Sequence, residues 1–69
     1  MSIIKALRLI EYVYEIVFEA EQSLTIKDIA DELTAMNKGY FISDVRNACE
    51  YLAMQNIFAY RGDDKYGLY

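Results

Sequence analysis

Residues 41–69 read FISDVRNACEYLAMQNIFAYRGDDKYGLY, and the order of elements in this stretch decides the fold. Val45, Ala48, Cys49 and Leu52 recur at helical spacing and make one apolar stripe, which predicts a helix over 43–55. Ser43 is its expected N-cap, because a hydroxyl there can accept from one of the unpaired N–H groups of the first turn. Asp44, Arg46, Asn47, Glu50 and Tyr51 fall off the stripe and should face outward. Asn56 stands where the helix should stop, and asparagine tolerates the left-handed C′ conformation. Ile57-Phe58-Ala59-Tyr60 and Lys65-Tyr66-Gly67-Leu68-Tyr69 are rich in strand formers and flank Arg61-Gly62-Asp63-Asp64, a strong turn signal. A hairpin over about 57–69 follows.

Upstream, two further helices are expected, over 3–20 and 26–36. Ser2 is a candidate cap for the first, whose interior has neither Gly nor Pro. Ile3, Leu7, Ile10, Val13 (or Tyr14), Val17 and Ala20 form an apolar stripe along it. Ile4, Leu9, Tyr12, Ile16 and Phe18 are apolar as well, so the helix is apolar over far more than a third of its circumference. One helix of so small a domain cannot be buried all round, so the surplus face, with Leu9, Tyr12 and Ile16, is expected to meet a second copy in a two-fold homodimer. Glu21-Gln22-Ser23 is a polar break. Thr25 and Asp28 have the spacing of a capping box, which starts the second helix at Ile26, with Ile26, Ile29, Ala30 and Leu33 as its stripe. Met36-Asn37-Lys38-Gly39-Tyr40 is a turn in which Gly39 or Asn37 can take positive φ.

The chain has 69 residues, enough for one small domain, taken as 1–69, with a core so limited that association would help it. A hydrophobic fraction of 55% spread along the whole length argues against disorder. No apolar run is long enough to span a bilayer, and Lys5 and Arg8 with the acids from Glu11 onward do not fit a signal peptide, so a cytoplasmic location is expected. Cys49, the only cysteine, falls on the apolar stripe and reads as a buried free thiol. With no histidine, one cysteine, no Gly-rich phosphate loop and no nucleophile beside a base, neither a metal, a cofactor nor catalysis is expected. The net charge of −4 opposes binding to nucleic acid at long range, and the acids are spread over both halves of the chain rather than confined to a tail.

The run V-R-x-A-x-x-x-L-x-x-x-N-I over 45–57, followed by a Tyr- and charge-bearing hairpin, resembles the second half of a winged helix-turn-helix domain. The segment L-T-I-K-D-I-A-D-E-L over 24–33 is similar to the opening of such domains, with Leu24, Ile29 and Ala30 at core positions. The resemblance covers roughly residues 23–69; in size and Ile/Tyr-rich composition the chain also resembles the compact winged-helix regulators of archaea and their viruses and plasmids. It implies an α+β fold of three helices plus a C-terminal hairpin wing, with a short strand near Ser23-Leu24-Thr25 pairing to the wing. It implies a sequence-specific, dimeric regulator that binds double-stranded DNA through the helix over 43–55. Arg46 and Asn47 would then read base edges, Ser43 and Tyr51 would donate to phosphates, and Lys38 and Tyr40 would lie by the backbone just before the helix. Arg61 and Lys65 would flank the wing tip toward the minor groove or its phosphates, and Lys27 or Lys38, Arg46, Arg61 and Lys65 would converge on one face. Since this chain has no C-terminal dimerisation helix like that of larger regulators, a dimer contact would fall on the first helix or on the open sheet edge. The acidic balance of the chain and the acids Asp44 and Glu50 on the helix over 43–55 favour the alternative, a winged helix that binds another protein and no DNA, while Asp63 and Asp64 at the tip oppose a basic wing and suit a turn.

Overall fold

The computed structural model describes residues 2–69 and is an α+β fold: α1 (Ile3–Ala20), β1 (Leu24–Thr25), α2 (Ile26–Ala35), α3 (Ile42–Met54), β2 (Phe58–Tyr60) and β3 (Lys65–Leu68). The three strands form one antiparallel sheet in the order β1-β3-β2. Leu24 faces Tyr66 and Thr25 faces Lys65 on one side of β3, while Phe58, Ala59 and Tyr60 face Leu68, Gly67 and Tyr66 on the other. The short strand expected near Ser23-Leu24-Thr25 is β1, and it joins the hairpin.

Local chemistry explains the ends of the elements. Ser2 Oγ accepts from the Lys5 N–H at 3.2 Å and caps α1. Thr25 Oγ1 accepts from the Asp28 N–H at 3.0 Å, while the Asp28 carboxylate accepts from the Thr25 N–H at 3.2 Å, so the capping box closes in both directions. α2 and α3 end in the same way. Asn37 and Asn56 sit at φ 60° and 59°, and the amides of Lys38 and Ile57 donate to the carbonyls of Leu33 and Leu52 at 2.8 and 3.0 Å. Each is a Schellman closure with asparagine at C′. Asn37, not Gly39, therefore takes the positive φ of the α2–α3 turn.

The start of α3 differs from expectation. Its N-cap is Phe41, an extended residue that supplies no side-chain cap, and Ser43 lies within the first turn. The Phe41 carbonyl already accepts from the amides of Asp44 and Val45, at 3.0 and 3.1 Å, so the helix begins before the hydroxyl is reached. Asp44 in that first turn supplies the negative charge that the positive end of the helix dipole favours.

The stripes of α2 and α3 are the core: Ile26, Ile29, Ala30, Leu33, Val45, Ala48, Cys49 and Leu52 are all buried. α1 is different. Its buried line is Leu9, Val13 and Val17, with Ile10, Tyr12 and Ile16 packed around it, while Ile3 and Leu7 of the expected stripe are 79% and 58% exposed. α1 packs on α2, α3 and β3 together, and three neighbours draw in a wider arc than one stripe. Leu9, Tyr12 and Ile16, expected to meet a partner, are thus engaged within the protomer. α1 leaves the apolar residues Ile3, Ile4, Leu7, Tyr14 and Phe18 exposed, and all of these but Ile4 fall on one flank. Phe58 closes the core from the sheet, with its ring centroid 6.4 Å from those of both Tyr14 and Tyr66.

Candidate nucleic-acid interface

α3 presents one side to solvent because its other side is fully used. Val45, Cys49 and Leu52 fix its rotation, and Ser43, Arg46, Asn47, Glu50 and Tyr51 are exposed. Asn47 and Tyr51 lie on the side of α3 toward Asp44, and Arg46 and Glu50 on the side toward the hairpin, as helical spacing requires.

Arg46 does not point freely outward. Its guanidinium donates to both oxygens of the Asp64 carboxylate, Nη1 to Oδ1 at 3.1 Å and Nη2 to Oδ2 at 3.2 Å. Both side chains are about half exposed, at 44% and 50%. The pairing with Asp64 holds the Arg46 pKa above its ordinary value, first through the hydrogen bonds and then through the charge. Asp64 reaches α3 because the hairpin tip folds back. Gly62, Asp63 and Asp64 all take positive φ, at 82°, 50° and 62°. The Asp64 carbonyl accepts from the Ile26 N–H at 3.2 Å, and its own N–H donates to the Tyr60 hydroxyl at 3.2 Å. The tip is therefore tied to the start of α2 and to α3 at once, and Asp64 does more than make a turn.

The other expected bases are dispersed. Arg61 crosses the outer face of the sheet, where its Nη2 donates to the Leu68 carbonyl at 3.0 Å and its Nε stands beside Gly67. Lys65 alternates with the core residue Tyr66 and so shares that outer face with Gly67. Lys27, on α2, is paired with Asp31 at 2.9 Å, and its pKa is raised first by that hydrogen bond. Lys38 stands over the Tyr12 ring, its Nζ 5.0 Å from the centroid. Lys38 and Arg61 line separate clefts. Ser43, Asn47 and Tyr51 remain together on α3, with Tyr40 half-buried before it.

Two bases that the sequence offers only as charge line a cleft. Lys5 and Arg8 of α1 line one cleft with Lys38, Tyr12 and Phe41. The signal was their spacing, since positions 5, 8 and 12 fall on one flank of a helix. Cys49 has no exposed surface, and burial pushes its thiol up to about 12. Among the described residues no group of three or more His, Cys, Asp or Glu is placed to hold a metal ion, and no helix is long and apolar enough to cross a membrane.

No protein-family model matches the chain, and no curated protein and no solved structure matches it significantly. What the geometry defines is a class: a three-helix, three-strand α+β domain that exposes the polar side of its third helix.

Proposed function

We propose that the chain is a winged helix-turn-helix protein that binds double-stranded DNA sequence-specifically and acts as a dimeric transcriptional regulator. One observation carries this reading. α3 is held rigidly by four buried residues while Ser43, Arg46, Asn47 and Tyr51 stand on its open side, the side chains that suit base edges and phosphates. α2, the turn and α3 supply the helix-turn-helix, and β2 with β3 supplies a short wing. Arg46 and Asn47 read bases; Ser43, Tyr51, Lys38 and Tyr40 serve the backbone. Arg61 and Lys65 contribute only if the duplex reaches the outer face of the hairpin. The second copy docks on Ile3, Leu7, Tyr14 and Phe18, the apolar flank that α1 leaves uncovered.

A second reading has its own observation. Arg46 is neutralised by Asp64, Glu50 stands beside it, and Phe41, Ile42, Tyr51 and Met54 expose large apolar surface on and next to α3. A protein partner would use that mixture better than a phosphate backbone would.

A salt titration on random-sequence duplex separates the two. Counterion release makes the affinity of a DNA binder fall log-linearly with salt, whereas a protein adaptor shows no measurable duplex binding at ~50 mM salt.

A further inference from the structure

The cleft between the N-terminal half of α1 and the α2–α3 turn has a volume of about 860 Å³. Three cations line it, Lys5, Arg8 and Lys38, against the single carboxylate of Asp44. The whole chain carries eleven acids and only seven bases, so this is a local reversal of its charge. None of the three cations is in an ion pair among the described residues; the two salt bridges there are Lys27–Asp31 and Arg46–Asp64. Lys38 is held in place by the Tyr12 ring, a cation–π contact that leaves its N–H donors available. The start of α3 lies on the cleft wall at Phe41 and Asp44, but Asp44 offsets the positive end of that helix, so the positive character of the cleft comes from Lys5, Arg8 and Lys38. A concave surface lined by one sign of charge concentrates ions of the opposite sign.

We propose that this cleft is a phosphate-binding site, beside the open side of α3 and sharing Lys38 and Tyr40 with it, with Lys5 and Arg8 as its own cations. Its ligand is a multiply charged phosphate group, held by Lys5, Arg8 and Lys38. That group comes either from a free polyphosphate-bearing small molecule or from the backbone of nucleic acid. Only the backbone source rests on the duplex-DNA reading above.

The test titrates the full chain at ~50 mM NaCl with sodium tripolyphosphate by calorimetry and with a random-sequence duplex by fluorescence anisotropy, where each lost phosphate contact should reduce the salt slope by about 0.9. The variants are Lys5→Gln/Arg8→Gln/Lys38→Gln and, to spare the contact with Tyr12, Lys5→Gln/Arg8→Gln; their thermal melting is compared with that of the parent chain. For a free-phosphate source, tripolyphosphate binds and weakens at least tenfold in both variants, while Arg46→Ala leaves it unchanged. For a backbone source, the duplex salt slope falls by about 2 in the double variant and by about 3 in the triple variant. If folded variants bind both ligands as the parent does, or if the parent binds neither, the phosphate site is refuted. Duplex binding that persists with an unaltered slope refutes the backbone source, and refutes the site itself when tripolyphosphate binding is unaltered too, leaving the α3 reading standing in both cases; absence of duplex binding with tripolyphosphate bound refutes only that reading.

Discussion

Replacing Asp64 by Asn tests whether Arg46 is a DNA contact held in reserve. In the parent protein the two guanidinium nitrogens are committed to the carboxylate at 3.1 and 3.2 Å. Asparagine can satisfy only part of that fork and carries no charge, so Arg46 becomes available to a phosphate or a guanine. The size of the effect follows from counterion release. One additional phosphate contact steepens the salt dependence by about 0.9, which is roughly a fifteenfold gain in duplex affinity at 50 mM salt, and about fourfold at 200 mM, measured from 1 M. Stability should hardly change, because both partners are half exposed and such pairs contribute little. The assay is fluorescence anisotropy with random duplex at several salt concentrations, on the parent, Asp64→Asn, Arg46→Ala and the double variant. Expected is a tighter Asp64→Asn, a weaker Arg46→Ala, and no gain from Asp64→Asn once Arg46 is gone. An Asp64→Asn protein that binds duplex no better than the parent at 50 mM salt would show that Arg46 faces no DNA.

Three other expectations concern stability and assembly. Leu52 is 2% exposed on the buried side of α3, so Leu52→Ala should cost about 2–5 kcal/mol and lower the melting temperature by roughly 8–40 °C; a loss below ~1 kcal/mol in urea unfolding would contradict this packing. Burial raises the Cys49 thiol from its ordinary 9.0 to about 12, so the unfolded chain ionises first. Stability is then intact below about pH 9 and falls toward pH 12 at ~1.4 kcal/mol per pH unit for this group, a slope that Cys49→Ala should lack in alkaline unfolding curves. For the dimer, Leu7→Glu/Phe18→Glu should sediment as a folded monomer at ~100 μM while the parent sediments as a dimer, since burying two carboxylates across that flank is unfavourable; a monomeric parent refutes the association.

α2, α3 and the hairpin were legible because their polar and apolar residues are cleanly separated. A stripe such as Val45, Ala48, Cys49, Leu52 admits one buried side, and Asn37, Asn56 and the Thr25–Asp28 box are local signals that need no tertiary context. α1 was legible as a helix but not in its orientation. Nearly every position between Ile3 and Phe18 that is not charged is apolar, so periodicity could not choose the arc, and packing on two helices and the sheet chose it. The cap of α3 falls two residues before the expected one, because Ser43 is a good cap in isolation while the Phe41 carbonyl closes the turn earlier. The Arg46–Asp64 pair spans 18 residues and depends on three successive left-handed residues at the hairpin tip, which no local rule supplies. Asp64 therefore read as a turn residue, although its carboxylate holds the central cation of the candidate interface.

That pair also decides between the two functions in a way neither single variant does. The double exchange Arg46→Asp/Asp64→Arg preserves an ion pair between α3 and the hairpin tip but reverses its direction. If the bridge matters because it fixes the tip on α3 for a protein partner, the exchanged chain keeps its fold and much of its partner binding. If Arg46 meets DNA, the exchange places a carboxylate on the helix that enters the groove, where like charge repels the backbone and no carboxylate can satisfy guanine O6 and N7. Duplex affinity should then fall below that of Arg46→Ala, since a repulsive group is added as well as an attractive one removed. Melting curves of the exchanged chain are compared with those of Asp64→Arg alone, because arginine at the left-handed position 64 carries a backbone cost that aspartate largely avoids, and the restored bridge shows as the difference between the two. Duplex binding equal to that of the parent would exclude Arg46 from the interface and leave the exposed Phe41, Ile42, Tyr51 and Met54 as the surface that has a partner.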